Sequence, residues 1–305
     1  MLIRIRKGWE IPEREATPEH VYLNRRQLLR AAGLLAASGS LFADPHAAKR
    51  NPEFTLDRPI TPEWAATGYN NFYEFHPTDK QAVKDLVGKF KISPWKIEVK
   101  GLVNKPQTLD LDDLLKTMPM EERLYRFRCV EAWSMAVPWT GFPMSELIKK
   151  VQPKEEAKYL RFVTALRPEE MPGVKMAPWY KWPYYEGLTI AEAMNPLAMF
   201  VTGMYGKQVP KQNGAPFRVI VPWKYGYKSP KSIVTIEFAS KQPKTFWNDS
   251  QPREYGFYSN VNPSQPHPRW SQAHEKVIPT MQLRPTLMYN GYEKWVTDLY
   301  NGDEY

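Results

Sequence analysis

The sequence predicts an α+β fold with a strong β component. Apolar residues alternate with polar ones in several short segments, and the segments with helical spacing do not alternate regularly with them, as a doubly wound sheet would require. Aromatic residues make up 13% of the chain and 29 residues are proline, which is typical of short strands joined by long loops. A chain of 305 residues can form one large domain or two small ones.

Individual elements follow from the same patterns. Strands are predicted at 96–101, 124–130, 159–166, 217–221 and 232–238. Helices are predicted at 145–151, at 189–194 and after Asp110, which is a suitable N-cap for a helix that ends by Pro119. Residues 44–68 are polar and rich in proline, which predicts an extended N-terminal segment. No linker divides the remainder, so residues 69–305 are expected to form a single domain.

The first 43 residues are predicted to be an export signal. Arg25 and Arg26 immediately precede residues 31–43, which carry no charge and are too few to span a bilayer, for which about 20 apolar residues are needed. The segment resembles the twin-arginine consensus, although Asn24 and Leu28 replace the usual hydroxyl residue and phenylalanine. We therefore expect cleavage between residues 43 and 48, and export of the folded protein to the periplasm.

Charge and motifs exclude several classes of function. The formal net charge is +9, but the basic residues are scattered without a run of five, which argues against a nucleic-acid partner. The sequence contains no G-x-G-x-x-G, Walker, H-E-x-x-H or paired C-x-x-C motif, which disfavours nucleotide and zinc chemistry.

Cys129 is the chain's single cysteine. It can be an inert buried thiol, a nucleophile or a metal ligand. In a strand, Arg126 and Arg128 would flank it, and nearby cations are expected to lower the pKa of the thiol and favour the thiolate that binds metals. One cysteine excludes an all-cysteine iron–sulfur or zinc site, but it is sufficient for a cofactor that brings its own sulfur ligands.

A cysteine hydrolase is the alternative use of this thiol, and it would need a histidine beside the sulfur. The sequence after the predicted signal offers His46, His76, His267 and His274. Sequence alone places none of them next to Cys129.

Several blocks of sequence resemble one known family. They are RCVEAWSM followed by VPWTGFP, GYNNFYEF (68–75), YGKQVPKQNGAPFRVIVPWKYGYKSPKSIV (205–234), EYGFYSNVNP (254–263), HPRWSQA (267–273) and NGY (290–292). Together they resemble the catalytic subunit of the periplasmic methionine-sulfoxide reductase family, MsrP, within the sulfite oxidase superfamily. The resemblance implies a single β-rich mixed domain of the sulfite oxidase molybdopterin-binding type.

The resemblance also implies a cofactor and its binding residues. Molybdenum would be held by one mononucleotide-free molybdopterin and by the Cys129 thiolate. The implied cofactor-binding residues are Asn70, Tyr73, Glu74, Thr164, Asn213, Arg218, Ser229, Pro230 and Lys231. Glu131 and Tyr255 match residues that line the metal cavity.

Each of these positions has a chemical role open to it. Arg218 and Lys231 can neutralise the phosphate of the pterin, while Asn70, Asn213 and Thr164 can pair with the donors and acceptors of its ring. Gly214 allows a close backbone approach. Ser229-Pro230 stands where the family often has glycine and an apolar residue. Pro230 has no N–H to donate, so its contact must come through neighbouring atoms.

Glu131 can hold a metal-bound water or move a proton, and Tyr255 can donate a hydrogen bond to substrate oxygen. A salt bridge to a neighbouring arginine is the competing interpretation for Glu131. Core packing is the competing interpretation for Tyr255.

The function implied by the resemblance is reduction of methionine sulfoxide residues in exported proteins, with transfer of the oxygen atom to the metal. Electrons would come from a membrane-embedded haem subunit and quinone, with this chain as one monomer of a heterodimer. A substrate attached to a polypeptide calls for an open, shallow site. The alternatives are a sulfite-oxidase-like enzyme acting on a small sulfur or nitrogen oxide, and an exported binding protein without cofactor.

Overall fold

Two β-sheets form the framework of the computed structural model, which describes residue 46 and residues 48–300. The strands are β1 (Lys96–Gly101), β2 (Gln107–Asp110), β3 (Glu121–Arg128), β4 (Trp133–Pro143), β5 (Tyr159–Thr164), β6 (Tyr185–Thr189), β7 (Met199–Met204), β8 (Lys207–Gln208), β9 (Arg218–Ile220), β10 (Ile233–Ala239), β11 (His274–Val277) and β12 (Gln282–Pro285). The helices are α1 (Glu63–Gly68), α2 (Val83–Leu86), α3 (Leu111–Leu115), α4 (Met144–Val151), α5 (Pro172–Met176), α6 (Ile190–Met194), α7 (Phe246–Ser250) and α8 (Glu293–Val296).

Both sheets are mixed. The first has the strand order β2-β1-β10-β5-β6, and the second has the order β12-β11-β4-β7-β8, with β3 added on β4 and β9 on β7. The β1–β10 and β4–β11 pairs are parallel, and the other pairs are antiparallel. The predicted α+β class with a strong β component is confirmed.

Two of the predicted helices, α3 and α6, begin at residues whose side chains cap them. The Asp110 carboxylate accepts hydrogen bonds from the backbone N–H groups of Asp112 (3.0 Å) and Asp113 (3.4 Å), which would otherwise lack partners at the start of α3. Thr189 and Glu192 form a reciprocal capping box at the start of α6. Both helices therefore begin at the positions that their sequence signals indicate.

The segment before residue 69 is only partly extended, so this part of the prediction was wrong. Residues 63–68 form α1, in which Ala65 and Ala66 are buried. Upstream of it, the Phe54 ring packs edge-on against Tyr125 at 5.5 Å between ring centroids. The segment is polar and rich in proline overall, so its composition did not indicate that a few apolar residues pack it against the core. The predicted signal (1–43) and its cleavage site lie outside the described residues.

Within the described residues, no helix has the length and apolar character needed to cross a membrane.

A buried ionic cluster joins α6 to the chain after β9. Lys224 pairs with Glu192, and the Lys224 Nζ also donates to the carbonyl of Tyr258 (2.8 Å) and to the side chain of Asn260 (2.9 Å). The Tyr300 hydroxyl donates to Glu192 at 2.6 Å. Burial lowers the pKa of Lys224 to about 8. Burial alone would raise the pKa of Glu192, but Lys224 and Tyr300 outweigh it and lower that pKa.

We predict that Glu192→Gln destabilises the protein by about 3 kcal/mol, because it leaves the buried Lys224 ammonium without its counter-charge. Urea unfolding measures the change in free energy. Glu169→Gln is the matched control, since Glu169 pairs with Lys175 on the surface and such pairs contribute about 0–1 kcal/mol. Equal effects of the two substitutions would contradict the prediction.

Candidate active site

A cavity of about 740 Å³ lies beside the junction of β3 and β4. Five other parts of the chain line it: the segment before α2, the loop after α5, the loops on either side of β9, α7 with the loop that follows it, and residues 269–281 around β11. It is lined by eleven of the twelve residues predicted for the site, namely Asn70, Tyr73, Glu74, Cys129, Glu131, Asn213, Arg218, Ser229, Pro230, Lys231 and Tyr255. The structure thus brings together residues that are far apart in sequence, in a cavity that is partly open to solvent.

Cys129 lies in the turn between β3 and β4. The predicted strand at 124–130 ends at Arg128, which pairs with Ser134. The turn is closed by two backbone hydrogen bonds, from the N–H of Cys129 to the carbonyl of Trp133 (2.9 Å) and from the N–H of Ala132 to the carbonyl of Cys129 (3.0 Å). The antiparallel register therefore fixes the position of the sulfur.

The Cys129 sulfur is surrounded by polar groups. The side-chain amide of Asn71 donates to it at 3.5 Å, and the backbone N–H of Glu131 donates to it at 3.4 Å. A Glu131 carboxylate oxygen lies 3.8 Å from the sulfur. A reacting group held at this sulfur would therefore lie next to the carboxylate.

Three groups hold the Glu131 carboxylate. Its Oε2 accepts from Asn71 Nδ2 (2.9 Å) and Trp133 Nε1 (3.1 Å), and Lys80 Nζ lies 3.2 Å away. The counter-charge is thus a lysine rather than the arginine considered from sequence. Sequence reasoning missed Asn71, Lys80 and Trp133. Asn71 adjoins Asn70 and Trp133 lies two residues after Glu131, but nothing in the sequence around Lys80 indicates that it faces the carboxylate.

The thiol does not have the low pKa that was expected. Burial, with a smaller contribution from Glu131, raises the pKa of Cys129 to about 12. Arg128 instead pairs with Glu275 (3.2 Å), and Arg126 pairs with Asp57 (2.9 Å). Arg128 and Lys80 lower the pKa of the thiol by less than burial raises it, so a bound metal would have to displace the thiol proton.

Arg218 is a buried cation for which the described residues supply no carboxylate partner. Its guanidinium donates to the backbone carbonyls of Asn213 and Ser229 (3.3 Å to the latter) and lies 4.9 Å from the Trp139 ring. Burial lowers the pKa of Arg218 to about 9. The side-chain carbonyl oxygen of Asn213 is buried and has no hydrogen-bond partner in the described structure. These two residues offer a positive charge and an acceptor to a ligand in the cavity.

Lys231 and Glu74 are a second pair of ionisable groups at the cavity wall. Burial lowers the pKa of Lys231 and raises the pKa of Glu74, each to about 7. The Lys231 Nζ donates to the carbonyl of Asn71 at 2.7 Å, and Glu74 accepts from the Thr164 hydroxyl at 3.2 Å. Thr164, the twelfth predicted residue, is not at the cavity surface and acts on it through Glu74.

Gly214 is needed for the close approach of Lys231. It has a φ of +107°, and a Cβ there would lie 2.8 Å from the Lys231 side chain. The close approach that the glycine allows is therefore between its own backbone and Lys231.

The remaining predicted binding residues are held by local hydrogen bonds or ring contacts. The Asn70 side chain donates to the carbonyl of Thr67 (2.9 Å), and the Tyr73 ring packs edge-on against Trp247 at 5.0 Å. The Ser229 hydroxyl accepts from the N–H of Val221 (3.2 Å), and the carbonyl of Pro230 accepts from the N–H of Val219 (3.0 Å). These contacts leave each residue at the cavity wall in a fixed position.

Tyr255 is both packed and at the cavity surface. Its ring is 5.3 Å from Tyr227 and 5.3 Å from Trp247, and the residue is 7% exposed. None of the described histidines lines the cavity or bonds to the Cys129 sulfur. The cysteine-hydrolase interpretation therefore finds no support.

The residues present fit the cofactor implied by the sequence. A buried arginine without a carboxylate suits an anionic phosphate, and an unpartnered amide oxygen suits a ring donor. The described residues contain no cluster of three or more His, Cys, Asp or Glu side chains that could hold a metal by themselves. That is the arrangement expected for a metal that arrives with its own ligands and takes one more from the protein.

Comparison with known proteins gives the same result. Residues 84–247 match the family model described as oxidoreductase molybdopterin binding domain. The protein-methionine-sulfoxide reductase catalytic subunit MsrP of Burkholderia mallei is 50% identical, covering 97% of this chain and 94% of the relative. The protein of the same name from Ralstonia nicotianae is 50% identical, covering 97% of this chain and 95% of the relative.

Among solved structures, the sulfane dehydrogenase SoxCD from Paracoccus pantotrophus aligns with a TM-score of 0.47 and 17% identity. The alignment covers 81% of this chain and 55% of that one. With half of its residues shared with two relatives along nearly their whole length, and with the residues predicted for the site gathered at one cavity, the chain belongs to the MsrP family of molybdopterin-dependent oxidoreductases.

Proposed function

We propose that this chain reduces methionine sulfoxide residues of exported proteins at a molybdenum centre held by one mononucleotide-free molybdopterin and by the thiolate of Cys129. The observation that carries the proposal is the position of the sole cysteine. Its sulfur lies at the wall of the cavity, 3.8 Å from the Glu131 carboxylate. Arg218, Asn213 and Lys231 line the same cavity.

In this proposal, some residues of the protein bind the cofactor, and others move protons and position the substrate. When bound, the metal centre supplies two-electron oxygen-atom transfer. Arg218 and Lys231 bind the phosphate of the cofactor, and the free oxygen of Asn213 accepts a hydrogen bond from its ring. Reduction of a sulfoxide consumes two protons. The Glu131 carboxylate lies beside the sulfur with Lys80 as its counter-charge and relays protons to the reacting oxygen, and Tyr255 orients the sulfoxide oxygen.

The electrons come from a separate subunit in this proposal. The sequence has no C-x-x-C-H haem motif, and a single cysteine excludes a protein-bound iron–sulfur cluster. The relatives are named catalytic subunits, which supports a second, electron-donating subunit. We propose that it is a membrane-embedded haem protein that draws electrons from quinone and forms a heterodimer with this chain. The Arg25-Arg26 signal supports export to the periplasm.

Sulfite oxidation is the competing proposal. A small dianion such as sulfite calls for arginines clustered over the metal. Arg126 and Arg128, the arginines nearest to Cys129 in sequence, are paired with Asp57 and Glu275 and do not line the cavity. The position of these two side chains therefore favours the sulfoxide substrate.

A substrate assay separates the two proposals. We expect purified, molybdenum-loaded protein with an artificial electron donor to reduce methionine sulfoxide in an oxidised protein, and to leave sulfite unchanged when an electron acceptor is supplied. Turnover of sulfite without turnover of sulfoxide would replace the proposal by its competitor. If elemental analysis finds no molybdenum in protein purified after cytoplasmic maturation, that result would instead favour a cofactor-free binding protein.

Cys129→Ser is expected to abolish sulfoxide reduction and to leave pterin content largely intact, because the groups proposed to hold the pterin are elsewhere in the cavity. Pterin is measured by fluorescence after oxidative release, and activity with the same artificial donor. Full activity in this variant would refute the assignment of the sulfur as a metal ligand.

Arg218→Met is expected to lower the affinity for the pterin about 10- to 100-fold, since a charge-assisted hydrogen bond contributes about 1.5–3 kcal/mol. The cofactor-free variant should be at least as stable as the parent, because a buried cation without a carboxylate is removed. Pterin content and thermal unfolding of cofactor-free protein are the two measurements. Lys211→Met is the control, since the Lys211 ammonium donates to the carbonyl of Gly88 instead. Unchanged pterin content in Arg218→Met would contradict the phosphate role.

A further inference from the structure

The mouth of the cavity is marked by the lining residues that are also exposed to solvent. They are Thr78, Trp179, Gln251, Arg269, Lys276 and Met281. The groups proposed to bind the cofactor are buried or half-buried, so the solvent-exposed part of the wall is available to whatever is attached to the reacting group. The mouth is therefore the part of the site that a large substrate contacts and a small one does not.

Trp179 is the largest apolar side chain at this mouth. It is 70% exposed and makes no hydrogen bond within the described structure. Its ring contacts Tyr180, at 6.0 Å between centroids, and Tyr180 in turn packs against Tyr73 (6.1 Å) and Trp247 (5.8 Å). Trp179 is thus the outermost member of an aromatic wall that continues into the cavity.

Little of the Trp179 side chain contributes to the core. A side chain that leaves most of its indole in water gains little hydrophobic free energy from folding, and the same surface is available to a partner. Tryptophan is also among the residues that contribute most to binding when a partner covers them. The charged Arg269 at the mouth is already paired with Glu254 at 2.7 Å. The apolar surface of Trp179 is therefore better suited to a new contact than this cation.

We infer that Trp179 is a specificity-determining residue that binds the polypeptide flanking the oxidised methionine. The inference rests on the proposed function. Apolar contact with an indole requires no particular neighbouring residue, so the site accepts sulfoxides in many sequence contexts. Free methionine sulfoxide lacks the flanking chain and gains nothing from Trp179.

A paired kinetic test follows from this difference. In the molybdenum-loaded enzyme, Trp179→Ala is expected to raise KM about tenfold for an unfolded protein whose methionines have been oxidised, which corresponds to about 1.4 kcal/mol, with kcat unchanged. KM for free methionine sulfoxide should stay within about twofold of the parent value. Trp179→Phe keeps an aromatic face and should recover most of the loss.

Trp64→Ala is the matched control, because Trp64 is 69% exposed but does not line the cavity. It should change neither KM. The inference is overturned if Trp179→Ala leaves KM for the oxidised protein unchanged, if it raises both KM values alike, or if Trp64→Ala has the same effect. Equal molybdenum content in all variants shows that the cofactor site is intact.

Direct binding separates a failure of this inference from a failure of the proposed function. A fluorescent, unstructured peptide containing one methionine sulfoxide is titrated with the molybdenum-loaded protein, and anisotropy gives Kd. We expect Kd to rise about tenfold for Trp179→Ala and to be unaffected by Trp64→Ala. If the parent reduces no sulfoxide but this difference in Kd remains, the docking role stands and the proposed function fails. Absence of peptide binding by the parent overturns the inference.

Discussion

Arg218 is buried and has no carboxylate partner among residues 48–300, and this is the constraint on which the arrangement of the site depends. Moving a guanidinium out of water costs several kcal/mol, and here two backbone carbonyls and the Trp139 ring offset only part of that cost. An anionic ligand in the cavity would supply the missing charge. The cofactor-free chain therefore carries an unfavourable free energy that binding of a phosphate would remove, which couples occupancy of the cavity to stability.

Asn71 connects two parts of the cavity, the proposed phosphate site and the proposed metal site. Its backbone carbonyl accepts from Lys231, one of the cations proposed to bind the phosphate. Its side chain donates both to the Cys129 sulfur and to Glu131. A single residue thus fixes the proposed metal ligand relative to the proposed phosphate site. The two ends of a cofactor that spans the cavity are joined covalently. Such a cofactor therefore needs a constant distance between the Cys129 sulfur and the groups proposed to bind the phosphate.

The turn between β3 and β4 explains how one strand pair can present a thiol and a carboxylate to the same group. Ala132 adopts a φ of +63°, and the turn returns the chain to the β4 register within a few residues. Cys129 and Glu131 then lie on the same side of the turn, and the Trp133 indole at the start of β4 holds the carboxylate. The position is thus held by backbone hydrogen bonds of the protein itself and needs no contact from the cofactor.

The sequence by itself determined the fold class, the starts of α3 and α6, and eleven of the residues that line the cavity. These inferences rest on local signals, such as the Asp110 cap, or on a recognisable order of motifs around Cys129. Tertiary structure alone decided the electrostatics. Arg128 is adjacent to Cys129 in sequence but pairs with Glu275, whereas Lys80, about fifty residues away, faces Glu131. Burial and the direction of a side chain depend on contacts between distant segments. The raised pKa of the thiol therefore could not be predicted from the sequence.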